Sequence, residues 1–262
     1  MTYPSATSDQ RAWQVMVIVA YLAMVAMNAL ANTLPLFGRA TGEVSAEYPS
    51  LFTPAPFTFG VWGVIYLALA AFCVYQALPR SSRLPTSLRP LFVLSCLLNI
   101  GWLVAWHAVL IPLSEVVMIG LLVTLIALYV RAGAWRGAAM RGERWFVHLP
   151  LSLYLGWITV ATVANTSITL LDLGFDGGSA AVALTVVVIA VAALLGVLGV
   201  LRRRDGVYAL VIAWGLGGVA AARSAEGGAS TIVIAALLCV AVLVLAGVWA
   251  LVGRATAPAA GA

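Results

Sequence analysis

The chain contains no lysine: all 14 basic residues among its 262 are arginine. Retinal Schiff bases, pyridoxal chemistry and phosphate-loop lysines each need a side-chain amine, so an opsin and those enzyme classes are excluded. Charge of either sign is scarce, at 9% of residues, with only 9 acids to set against the arginines. So few charges cannot coat a water-soluble surface of this size. Cysteine is nearly absent too, and Cys73, Cys96 and Cys239 all lie inside apolar runs. Free cysteine there behaves as a small hydrophobe, and three scattered thiols give neither a disulfide framework nor a metal motif.

What the chain does have is apolar length. Hydrophobic residues make up 63% of it and the mean hydropathy is +1.07. Continuous apolar runs recur, each near the ~20 residues that cross a hydrocarbon core. The fold class is therefore all-α, a polytopic transmembrane bundle. Helices are predicted near 13–34, 56–79, 89–108, 112–131, 146–170, 179–201, 207–223 and 230–252. The first run lacks a small-residue cleavage site and is read as a retained helix. The seventh is the weakest of the eight, because Gly215, Gly217 and Gly218 suit either close packing or a re-entrant segment. Seven crossings are the alternative count.

Arginine placement gives an independent check on these spans, since loops on the cytoplasmic side are enriched in it. With a cytoplasmic N-terminus, that side receives Arg11, Arg80, Arg83, Arg89, Arg131, Arg136, Arg141, Arg144, Arg202, Arg203, Arg204 and Arg254, twelve of the fourteen. The opposite side keeps Arg39 and Arg223, with Glu43, Glu47, Glu115, Asp172, Asp176 and Glu226. The net charge of +5 is thus a topology signal, and no nucleic-acid partner is implied. Both termini are predicted to be cytoplasmic.

Tryptophan divides into two groups. Trp13, Trp135, Trp145 and Trp249 sit near predicted helix ends as interfacial anchors. Trp62, Trp102, Trp106, Trp157 and Trp214 lie within spans, where an indole N–H needs a partner, and these are the pocket candidates. The spans also carry Asn28, Asn32, Tyr66, Gln76, Asn99, Tyr154, Thr162 and Asn165. Each must find a hydrogen bond away from water, and interhelical bonding is the more ordinary outcome than ligand contact. No acid or arginine falls at the middle of a span, which counts against an ion-driven pump.

The connection 35–55 is too long for a simple turn and combines Gly and Pro with Tyr48, Leu51 and Phe52, so it reads as an ordered lid over the bundle. His107, near a helix end, could ligate a metalloporphyrin iron, although a solvated helix-end histidine is the plainer reading. Pro112, Ser114 and Glu115 read as a helix start with the acid favourably placed against the helix dipole.

Three segments, in order, resemble the tryptophan-rich sensory protein family, also called the TspO/translocator protein (peripheral benzodiazepine receptor) family. Phe52-Thr53-Pro54 followed by Phe59-Gly60-Val61-Trp62 and Tyr66 is similar to that family's proline-rich approach to its second helix and W-x-x-x-Y. Leu98-Asn99-Ile100-Gly101-Trp102 resembles L-N-x-x-W in its third helix, and the run from Trp157 to Asn165 resembles W-x-x-x-A-T-x-x-N in its fifth. The likeness covers roughly residues 13–172. The chain departs from the pattern in spacing the usual double proline as Pro54-Ala55-Pro56, in having Phe57 where many members have Trp, and in carrying about three further helices after Gly174.

The resemblance implies residues 1–174 as a five-helix domain with a pocket under the first loop, and 175–262 as a three-helix extension of a longer related branch. It implies a porphyrin-like or other planar hydrophobic ligand, held by Phe57, Trp62, Tyr66, Asn99, Trp102, Trp157 and Asn165, with Arg39 facing a propionate. Rings stack on a tetrapyrrole face and amides supply hydrogen bonds in a dry site. The role implied is that of a sensor, regulator or carrier; rivals are a small-molecule transporter and a structural membrane subunit. Porphyrin breakdown has been proposed for the family, but no acid/base pair or metal site supports catalysis, so no catalytic or metal residue is assigned and no cofactor is required beyond a porphyrin- or haem-type ligand. The expected partners are the bilayer, a planar small molecule and, as an open alternative, a second copy of the chain; the expected location is a bacterial cytoplasmic membrane.

Overall fold

Apolar runs with no competing turn chemistry can only satisfy their backbone in lipid by closing i to i−4 hydrogen bonds, so they become helices. The computed structural model describes residues 8–34, 36–39, 41–78, 84–135, 141–227 and 230–255, and among them there is no strand. Among the described residues, eight helices are long and apolar enough to cross a membrane. Arg80, Arg83 and Arg136 of the basic set lie outside the described residues.

The chain divides into two units, one of 1–50 and 59–175 and one of 51–58 and 176–262. The first holds α1 (Ser8–Thr33), the short α2 (Thr41–Ala46), α3 (Val61–Ala77), α4 (Leu88–His107) and α5 (Ile111–Arg131). It continues through the three-residue α6 (Arg141–Glu143) and a π turn (Arg144–His148) into α7 (Leu149–Asp172). Its five long helices touch in the cyclic order α1, α3, α7, α5, α4, which closes a ring. Within the ring α7 is the most buried of the five long helices. Pro150, which has no N–H, stands in its first turn directly after the π turn.

Polar side chains lock this ring. Asn28 Nδ2 donates to Asn99 Oδ1 at 2.8 Å, Asn99 Nδ2 to the Tyr154 hydroxyl at 3.2 Å, and that hydroxyl to Met24 Sδ at 3.9 Å, joining α1, α4 and α7. Towards the other end of α1, Gln14 and Gln76 exchange bonds to each other's carbonyls, and Arg89 Nε donates to Gln76 Oε1 at 3.0 Å. Asn32 and Thr162, by contrast, bond to carbonyls of their own helices.

The second unit holds α8 (Ala181–Arg203), α9 (Gly206–Ala225) and α10 (Ser230–Ala255), all three in mutual contact. The glycine-bearing run predicted at 207–223 is one unbroken 20-residue helix. Asp205 caps it by accepting from the Tyr208 N–H at 3.0 Å. Glycine here serves close packing: a Cβ on Gly206 would overlap the Gly247 carbonyl oxygen, so α9 and α10 meet backbone to backbone. Arg204 closes α8 in the left-handed region at φ 53° and lies over the Trp249 ring at 5.5 Å.

Candidate functional site

Most of the residues singled out in the sequence fall into two groups inside the first unit. The first group is aromatic. Trp62 stacks on Tyr66, one turn along α3, with centroids 5.3 Å apart, and turns its edge to Tyr154 at 5.9 Å and Trp157 at 6.4 Å on α7. Phe59 meets Trp157 edge-on at 5.7 Å. Spacings of three and four residues put Tyr154 and Trp157 on one face of α7, and Trp62 and Tyr66 on one face of α3, so the two faces meet.

Two donors in this cluster have no hydrogen-bond partner although both atoms are buried: the Tyr66 hydroxyl and the Trp157 indole N–H. A buried donor left unpaired costs about 1–3 kcal/mol, so two in one cluster are unusual in a settled core. Asn99 stands behind the cluster, with its amide taken by Asn28 and Tyr154.

The second group is polar. An indole N–H can only donate, so the 2.9 Å bond from Trp102 Nε1 fixes Oδ1 of Asn165 and thereby the whole amide. Asn165 Nδ2 then donates to Glu115 Oε2 at 2.8 Å and to Ser114 Oγ at 3.1 Å. Thr166 Oγ1 lies 2.6 Å from the other Glu115 oxygen. Three helices, α4, α5 and α7, are tied by this one asparagine. Reading Glu115 only as a helix-start acid missed this role, because its partners are 50 and 51 residues away and no local pattern announces them.

His107 is fully buried and not solvated. Its Nδ1 lies 2.8 Å from the Leu103 carbonyl and its Nε2 3.2 Å from Thr41 Oγ1, so both ring nitrogens are engaged. Trp106, which stacks on Trp102 at 5.6 Å, donates its indole N–H to the Thr41 carbonyl at 3.1 Å. Residue 41 opens α2, and its clasp holds the first loop to the end of α4. Further along the loop, the Tyr48 hydroxyl donates to Asp172 Oδ1 at 2.9 Å. Burial, and then the hydrogen bond to Asp172, push the Tyr48 phenol up to about 12, so it stays a donor until pH rises past that value. Arg39 pairs with Glu47 at 3.5 Å within the same loop. Among the described residues no group of three His, Cys, Asp or Glu side chains could hold a metal ion.

Phe57 and Trp214 belong to the second unit. They meet edge-on at 5.7 Å, and both remain substantially exposed, at 57% and 44%. The structure thus brings Trp62, Tyr66 and Trp157 together, sets Asn99 beside them, places Trp102 and Asn165 in the polar group, and leaves Arg39 in the loop and Phe57 with Trp214. Tyr154 and Phe59 are the members that sequence reasoning did not assign to the site. Tyr154 could have been found from its place one turn before Trp157.

A protein-family model described as TSPO-like protein matches residues 14–249. The match runs well past residue 172, where the motif-level likeness stopped, and takes in α8, α9 and most of α10. No curated protein and no solved structure matches the chain.

Proposed function

Since the chain belongs to the TSPO-like protein family, we propose that this multi-pass membrane protein binds a planar hydrophobic ligand of porphyrin type at the Trp62–Trp157 cluster and acts as a sensor, regulator or carrier. The observation that carries the reading is the pair of unpartnered buried donors, Tyr66 OH and Trp157 Nε1, beside stacked aromatic rings. A flat ligand with acceptor atoms on its rim would meet both kinds of group, rings against its face and donors at its edge. Catalysis finds less support, because Glu115, the one acid in the polar group, is engaged with Asn165 and Thr166.

Purified protein titrated with protoporphyrin is expected to show saturable quenching of tryptophan fluorescence. Strictly linear quenching, the mark of partitioning into detergent, would sink the reading. Uptake of the same compound into proteoliposomes would then separate a carrier from a sensor.

The arginine bias supports both termini facing the cytoplasm, and eight crossings return the chain to its starting side. A cysteine placed at Gly42, in α2, is expected to react with an impermeant maleimide only from the outside. Labelling from the cytoplasmic side would reverse the orientation.

A further inference from the structure

The geometry points to α9 as a clamp on the proline-rich segment 51–58, with Gly218 and Trp214 as positioning residues for the ligand site proposed above, on which this inference rests. Although it precedes α3 in the chain, the segment belongs with the C-terminal unit. Pro54 and Pro56 have no N–H, so Ala55 supplies the lone backbone donor across that tripeptide, and it goes to the Gly218 carbonyl at 3.0 Å. A helix carbonyl has a second lone pair free to accept it. A directly doubled proline at 54 and 55 would have no such donor. The departure in proline spacing therefore coincides with a contact to one of the additional helices.

Two further contacts fix the same segment. Trp214, one turn before Gly218 on α9, donates its indole N–H to the Thr58 carbonyl at 2.9 Å and takes the edge of Phe57. Gly218 leaves room for nothing larger than hydrogen. A Cβ there would overlap the Thr58 hydroxyl and stand 2.9 Å from its methyl and 3.0 Å from the Pro54 Cβ. The Thr58 hydroxyl is buried without a partner, so it fills space and makes no bond.

Through its last residues the segment leads straight into the aromatic cluster. Thr58 and Phe59 are consecutive in one 3-10 turn, Pro56–Gly60, that runs directly into α3. Phe59 packs on Trp157, and Trp62 comes three residues later. Holding the Thr58 carbonyl thus fixes the middle of that turn, and the turn sets Phe59 and the first residues of α3.

Gly218→Ala and the double variant Gly218→Ala/Thr58→Ala test this, read by amide exchange at Ala55 and by protoporphyrin affinity. Gly218→Ala is expected to speed exchange at Ala55 and weaken affinity about tenfold, as overpacking of a close contact does. Removing the Thr58 hydroxyl and methyl in the double variant should restore both to within about threefold, which a general loss of folding would not allow. Trp214→Phe, which keeps the ring and drops the N–H, should weaken affinity about threefold. Exchange at Ala55 as fast in the wild type as in Gly218→Ala would overturn the clamp. Faster exchange with unchanged affinity would overturn the positioning role. No saturable binding by the wild type would overturn the ligand reading itself, and the positioning role with it, whatever the exchange shows.

Discussion

Replacing Asn165 with Leu is expected to destabilise the five-helix unit by about 2–4 kcal/mol, the largest effect of any single polar substitution in it. Single interhelical hydrogen bonds in membranes contribute little, about 0.6 kcal/mol on average, because an unfolded helix also finds partners in lipid. The case of Asn165 differs because removing it strands two other groups. Trp102 Nε1 loses its acceptor and Glu115 Oε2 loses its donor, both on helices that have packed around the amide. Leucine shares asparagine's branching at Cγ but is larger, so it leaves no cavity, and overpacking at this buried position adds to the cost of the stranded polar groups. Thr169→Val is the control. Its hydroxyl donates to the Asn165 main-chain carbonyl at 2.9 Å and stands 3.5 Å from the side-chain amide, so the change should cost less than about 1 kcal/mol. Reversible unfolding in mixed detergent compares the two. Equal, small effects would show that Asn165 is not the tie between α4, α5 and α7.

The second large effect falls on binding. Trp62→Phe/Trp157→Phe is expected to weaken protoporphyrin affinity by about 2–3 kcal/mol, roughly 30- to 150-fold, followed by the porphyrin's own absorbance so that losing two tryptophans does not blind the assay. Each indole offers about 0.5–1.5 kcal/mol of ring contact beyond its area, and Trp157 in addition offers an N–H that nothing else uses. Phenylalanine keeps most of the apolar volume, so the ring should survive the change. Tyr66→Phe, which removes one of the two unpartnered donors and leaves its ring on Trp62, should cost about 1 kcal/mol of affinity and leave the protein no less stable.

How far the sequence could be read depends on the range of the interaction. Spans were legible because crossing a bilayer demands a continuous apolar run, a local property of about 20 residues. Trp62 and Tyr66, four residues apart, share a helical face by the same local geometry, whereas Trp157 and Asn165, two turns apart on α7, fall into different groups. The continuity of α9 was less so, since glycines that permit close packing and glycines that break a helix look alike until Gly247 and Thr58 are seen against them. Glu115 had a sufficient local explanation in its helix start, which hid its bond to Asn165. His107 read as a solvated helix end because Thr41, which its ring meets, lies 66 residues earlier. Least visible was the attachment of residues 51–58 to α9, because Thr58 and Trp214 are 156 residues apart and neither is unusual alone.

The most direct measurement tracks the nine indole N–H signals of protein labelled with nitrogen-15 tryptophan as protoporphyrin is added. The signal of Trp157, free of any partner in the structure, is expected to move as the ligand saturates, while that of Trp102, already bonded to Asn165, keeps its position. A Trp157 signal that stays in place while the porphyrin binds to saturation would contradict the assignment of the site.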